Sequence, residues 1–186
     1  MALSVIGRKG EPVDARMPGV IRQSNWFVLV DPIWEPSTGR SAPPAGVIVG
    51  GWMLNDDGTT GPFRPNPGYL PSDDTVPTDP TDAVLRLIAE GEPLGDELLI
   101  RICDSVVEIG CDEDNQPLIG AAPDGTSCVV VATAEVQKTG LEVDRWQQIP
   151  GETLPDVVPP DTDILLNPNG RAPFRCIADA LRHTAH

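Results

Sequence analysis

Apolar residues in this chain fall into short runs whose internal spacing changes along its length. The run "NWFVLV", residues 25–30, is dense in β-branched and aromatic side chains and stops at Asp31-Pro32, which predicts a strand. A second strand is predicted over "VIVGGWML", residues 47–54, where the glycine pair points to a bulge or a close backbone approach. "NDDGTTG" then reads as a turn with Asp57-Gly58 at its tip. Residues 1–24 have no periodicity and predict an extended arm with at most a short strand. "WEPSTGRSAPPAG" reads as a loop, and between Pro62 and Asp79 the prolines are too dense to predict regular structure.

From Asp79 the spacing becomes helical. Asp79 suits an N-cap, Pro80 the first helical position, and Asp82 a first-turn carboxylate. Val84, Leu87 and Ile88 form an apolar stripe, and Gly91 supplies the stop. A second helix is predicted from Pro93 to Cys103, with Leu94, Leu98 and Ile102 on one face. "SVVEIGC" predicts a strand, "DEDNQ" an acidic turn and "PLIG" a returning strand. "TSCVVVATA" is a continuous apolar run fit for the centre of a sheet. "GETLPDVV" is at most a short helix, "DILLNP" a buried strand, and "PFRCIADALRHT" an amphipathic closing helix with Phe174, Ile177, Ala178 and Leu181 on its inner face. The expected fold class is α/β (α+β): a small mixed β-sheet flanked by helices. A β-rich, Pro/Gly-rich extension over 1–72 precedes that domain over 73–186.

Charge changes the picture. The formal net charge is −15 over 186 residues. Residues 73–124 hold 14 Asp or Glu against Arg86 and Arg101, a local net of −12, whereas residues 1–50 hold five basic and four acidic side chains. Such a surface repels a phosphate backbone, and no basic stripe with interleaved aromatics exists, so nucleic acid is not an expected partner. The acidic excess serves solubility or a basic protein partner.

Cys103, Cys111, Cys128 and Cys176 form no Cys-x-x-Cys pair, and both histidines, His183 and His186, lie at the end of the chain. Four reduced thiols, no metal, no cofactor and a cytoplasmic location are therefore expected. The opening "MALSVIGRKGEP" is too short an apolar run for a signal peptide, and no run is long enough to predict a membrane span.

The second half resembles the N-terminal domain of the SseB-like family. The resemblance lies in "DPTDAVLRLIAEGE", "ELLIRICDSVVEIG", the acidic hairpin leading to "PDGTSCVVVATA", and "ILLNPNGRAPF", with Leu166-Asn167-Pro168 its most characteristic piece. In the first half, "NWFVLVDPIWEP", "IVGGW" and "GPFRPNPGYLPS" look like the actinobacterial type VII secretion system-associated proteins that carry such a domain. The resemblance implies a non-catalytic accessory protein that binds a protein partner, either a type VII secretion component or a secreted effector. An immunity-like protein that neutralises a secreted effector is the alternative, and a homo-oligomer is compatible with either. No catalytic residue comes with the resemblance.

Three sets of candidate residues follow. At the "LNPNG" corner, Asn167 ends a strand and offers an Asx-turn, Gly170 can take a positive φ, and the N–H groups of the following helix, with Arg171 and Arg175, could hold an anion. Turning the chain is the better-supported role there. Trp34 and Tyr69, in the aromatic-rich first 70 residues, are candidate partner anchors against a default of core packing. Asp112, Glu113 and Asp114 are the candidate acidic contact. As a calcium loop this run fails, because Pro117 and Pro123 stand where a glycine and a bidentate glutamate are needed. Neither a nucleophile elbow nor a phosphate-binding loop is present, and no enzyme activity is expected.

Overall fold

Two β-sheets, each with its own core, organise residues 9–11, 19–36 and 42–184, the parts described by a computed structural model. The first sheet is antiparallel, in the order β1 (Val20–Gln23), β2 (Trp26–Val30), β3 (Ile48–Leu54) and β4 (Thr60–Pro65). Its core is Val20, Phe27, Leu29, Val49, Trp52, Phe63 and Tyr69, with the Trp52 and Phe63 rings edge to face at 4.8 Å. Of the expected arm over residues 1–24, only 9–11 and 19–24 are described, the latter holding β1. The loop expected over residues 34–46 is likewise described only at 34–36 and 42–46.

The glycine pair in β3 marks a close approach. A Cβ at Gly50 would stand 2.4 Å from the Arg64 carbonyl oxygen, and one at Gly51 would stand 2.5 Å from that of Phe27. Substituting Gly50→Ala is expected to destabilise the fold by ~1–3 kcal/mol, the usual range for overpacking. Gly46→Ala, where a Cβ meets nothing within 4 Å, should leave the urea midpoint almost unmoved.

The proline-rich stretch holds β4, which sequence pattern did not predict. It is accommodated because the strand ends its sheet, where a missing N–H interrupts no ladder on the outer side. Phe63 then reaches the second sheet: its N–H donates to the Asp104 carbonyl at 2.8 Å, and it forms a parallel bridge with Ser105.

The second half opens with α1 (Pro80–Ala89) and α2 (Gly95–Cys103). Asp79 caps α1, and Gly91, at φ +100°, ends it while its N–H donates to the Ile88 carbonyl. The mixed sheet follows in the order β10 (Phe174–Cys176), β9 (Asp163–Leu166), β7 (Ser127–Ala132), β5 (Val106–Cys111) and β8 (Arg145–Pro150), with β6 (Ile119–Ala121) also on β7. Only β7 and β9 run parallel, with Cys128 opposite Asp163 and Val131 opposite Leu166. Alternate strand residues, Val107, Ile109, Val129, Val131, Ile164 and Leu166, share one core with Val84, Leu85, Leu98 and Ile102 of the helices, and with Leu154 of the short α3 (Leu154–Val157). Leu181 of α4 (Ala178–Thr184) completes it. This is a mixed α+β chain.

Two further elements differ from expectation. β8 is missing from the sequence reading because "RWQQIP" leaves only Ile149 buried, although it pairs with β5 along six residues. The closing helix begins at Ala178, not Pro173. Phe174 and Cys176 turn inward from β10 with Arg175 between them facing solvent, a period of two rather than 3.6. Ile177, assigned to the helix's inner face, is exposed. Among the described residues no helix is long and apolar enough to cross a membrane.

Candidate functional site

Asp31 follows β2 and is 1% exposed. Its carboxylate accepts four hydrogen bonds: from Ile33 N–H at 2.9 Å, Tyr69 O–H at 2.8 Å, Ser72 N–H at 3.1 Å and the Ser72 hydroxyl at 3.1 Å. Burial alone would raise its pKa, but the bonds from Ile33, Tyr69 and Ser72 together hold it below the ordinary 3.8. Burial and this carboxylate push the Tyr69 phenol well above its usual pKa, so it stays a donor. The knot joins the loop after β2 to the loop after β4. Ile33 and Ser72 share one Asp31 oxygen, so the two loops emerge side by side. Among the residues these loops expose are two large apolar ones, Ile33 at 68% and Leu70 at 70%, and Trp34 is half-buried.

Tyr69 is therefore corrected from partner anchor to core residue. Its ring belongs to the first core, and its hydroxyl holds Asp31. Trp34 remains partly accessible, its N–H donating to the Asp31 carbonyl. Asp31 itself was read only as a strand stop; an aspartate placed between an apolar strand and a proline was the available signal.

A second buried carboxylate organises the adjoining surface. Asp79 Oδ1 accepts from the N–H groups of Thr81 and Asp82 at 2.8 and 3.0 Å, which is the helix cap. Its Oδ2 accepts from the hydroxyls of Thr78 and Thr133 at 2.8 and 2.6 Å. Thr133 lies just past the end of β7, and Asn167 just past the end of the parallel β9. The Asn167 side chain accepts from Thr133 N–H at 3.0 Å and donates to its hydroxyl at 2.9 Å. Asn167 thus fastens two parallel strands to the start of α1, in place of the local Asx-turn expected of it.

Asn167, at φ +47°, takes the left-handed conformation expected at Gly170. Gly170 is needed for proximity instead: a Cβ there would stand 2.4 Å from Gln137 Oε1. The corner leads into β10, so no helix N-terminus opens on it. Arg175 faces away and pairs with Asp163 at 2.7 Å and Asp124 at 3.2 Å. Arg171 meets Asp74 at 3.2 Å. The two arginines of the candidate anion site thus meet different carboxylates, and Asn167 is engaged with Thr133.

Between these two knots runs a groove of about 440 Å³. Leu70, Pro71, Val76 and Val136 are its apolar lining, and Thr78 and Gln137 connect it to the Asp79 network. Asp73, Asp74, Arg86, Asn169 and Arg171 make up the remainder. The Asp74 carbonyl accepts from both guanidinium groups, Arg86 at 2.8 Å and Arg171 at 3.1 Å.

The acidic candidates lie elsewhere, on the β5–β6 hairpin. Glu113 and Asp114 are exposed, whereas Asp112 shapes the turn by accepting from the N–H groups of Asp114 and Gln116 at 2.9 Å each. All four cysteines are buried free thiols. Burial pushes Cys103 and Cys176 up to about 11 and raises Cys111 and Cys128 as well, which makes each a poor nucleophile at neutral pH. Cys176 ends β10 while His183 sits in α4, so they do not share a helix face; His186 lies outside the described residues. Set against protein-family models, curated proteins and solved structures, the chain finds no match in any of the three.

Proposed function

We propose that this chain is a non-catalytic accessory protein that binds a protein partner, acting in the cytoplasm in connection with type VII secretion. The observation that carries the binding role is that Ile33, Trp34 and Leu70 stand, exposed or half-exposed, on two loops tied together by the buried Asp31 carboxylate. Exposed large apolar side chains on loops ordinarily remain mobile; ordering them in advance lowers the entropic cost of association. Exposed apolar anchors on ordered loops are what interface hot spots are made of. The link to secretion rests on the residue patterns shared with the SseB-like and type VII-associated proteins. Buried thiols with raised pKa values support a non-catalytic role.

The test compares tagged wild-type protein with an I33S/L70S variant as bait in native cytosol, with bound proteins quantified by mass spectrometry. Both side chains are largely exposed, so the variant should keep its melting temperature. A partner enriched by the wild type should fall at least tenfold on the variant. Equal recovery by both baits would remove this surface from the function.

A further inference from the structure

The groove beside Leu70 has a hydrogen-bonding balance that selects its occupant. Thr78 Oγ1 donates its one hydrogen to Asp79, so toward Gln137 it can only accept. That fixes the Gln137 carboxamide with Nε2 on Thr78 at 2.9 Å and leaves Oε1 at its other end. Gln137 lines the groove, where its Oε1 bonds to no described residue and stays open to solvent. An amide oxygen open to solvent is an acceptor that a donor on an occupant can take over from water.

The other lining groups point the same way. Arg86 already gives Nε and Nη2 to Asp82 at 2.9 Å each and Nη1 to the Asp74 carbonyl. The Asn169 amide donates to the Thr139 carbonyl at 3.3 Å. Arg171 stands at the rim with its charge met by Asp74. Acceptors remain open: Gln137 Oε1, the second oxygen of Asp73 and the oxygen of Asp74 that does not meet Arg171, on a side chain 89% exposed. Hydrogen bonds from Thr75 hold Asp73 below the ordinary carboxylate range, so it is charged at neutral pH.

We infer that the groove receives a lysine or arginine side chain of the partner, whose neighbouring apolar residue lies on Ile33 and Leu70. This rests on the protein-binding reading and gives it a chemistry: a basic, amphipathic segment. Val76 and Val136 pack along the aliphatic stem, and the cationic head reaches Gln137 Oε1, Asp73 and Asp74. The net charge of −15 steers such a segment toward the molecule.

The test uses small probes on the full-length protein, so it is independent of any partner. Butylguanidinium chloride and sodium pentanoate, matched in ionic strength, are titrated against the nitrogen-15-labelled chain. The cation should produce saturable amide shifts confined to residues 73–78, 136–138 and 169–171, and pentanoate should produce none. Asp74→Asn, at an exposed position, should weaken the cation at least threefold, and Gln137→Met should abolish its binding. Saturable binding of pentanoate there, binding of neither probe, or cation binding unchanged in both variants would each overturn the inference. Should the probes fail while I33S/L70S still loses its partner, the groove assignment falls and the apolar surface stands. Cation binding with partner capture unaffected by I33S/L70S would separate the two in the other direction.

Discussion

Asp31→Ala is expected to lower the unfolding free energy by ~3–5 kcal/mol, the range for removing one side of a buried, charge-assisted cluster. Four donors, on Ile33, Tyr69 and Ser72, would lose their acceptor, and Tyr69 is itself in the core. Asp31→Asn should fall between wild type and alanine, because the amide keeps one acceptor oxygen and turns an N–H₂ toward donors. The sign of the pH effect follows from the direction of the shift. A carboxyl held below its ordinary 3.8 when folded contributes stability that is fully present above that value and is lost as pH falls beneath it. Urea denaturation of the three proteins at neutral pH and near pH 3 checks both size and sign. The gap between wild type and Asp31→Asn should narrow in acid. An alanine variant within about 1 kcal/mol of wild type would mean the knot does not hold the loops.

Asp79→Ala is the second large effect, expected at ~3 kcal/mol from the lost helix cap together with two buried hydroxyls left without their acceptor. Here the pH dependence has the opposite sign. Burial, then the charge of Asp82, pushes Asp79 up to about 6 against the opposing pull of its hydrogen bonds. Between about pH 4 and 6 the unfolded chain has released this proton while the folded chain still holds it. The contribution of Asp79 to stability therefore falls as pH rises through that window and is flat above it. Asp79→Asn keeps an oxygen for the cap and can donate to the threonine hydroxyls, so it should remain folded without this slope. The difference in unfolding free energy between wild type and Asp79→Asn, followed from pH 4 to 7, isolates the term. A difference that does not change with pH would contradict the assignment.

Much of the element order was legible because the signals are local. The Asp79–Pro80 cap, the Gly91 stop and the apolar run of β7 each lie within a few residues of sequence. β4 and β8 were not legible, since edge strands tolerate proline and polar residues and carry little of the core. β10 was mistaken for helix because Phe174, Ile177, Ala178 and Leu181 fit a helical stripe by number alone; only its pairing with β9 decides otherwise. At the candidate site the limit was different. Trp34 and Tyr69, both candidate anchors, are not separable by residue type although one is half-buried and the other lies in the core, and Asp31 gains its meaning from Tyr69 and Ser72, some forty residues later. Gln137 likewise matters only through Thr78, 59 positions away. Contacts of that range leave no periodic trace.

The central claim is that Ile33, Trp34 and Leu70 form the binding surface, presented by the Asp31 knot. It is tested most directly by titrating the captured partner calorimetrically into wild type, I33S/L70S and the hairpin variant E113Q/D114N at two salt concentrations. Loss of two anchors at ~1.5–2 kcal/mol each should weaken Kd by roughly 100-fold or more, with folding unchanged. The hairpin variant should stay within about threefold of wild type, because exposed charges outside an interface core act mainly on association rate. A Kd for I33S/L70S within twofold of wild type, or a larger loss from E113Q/D114N than from I33S/L70S, would contradict the account.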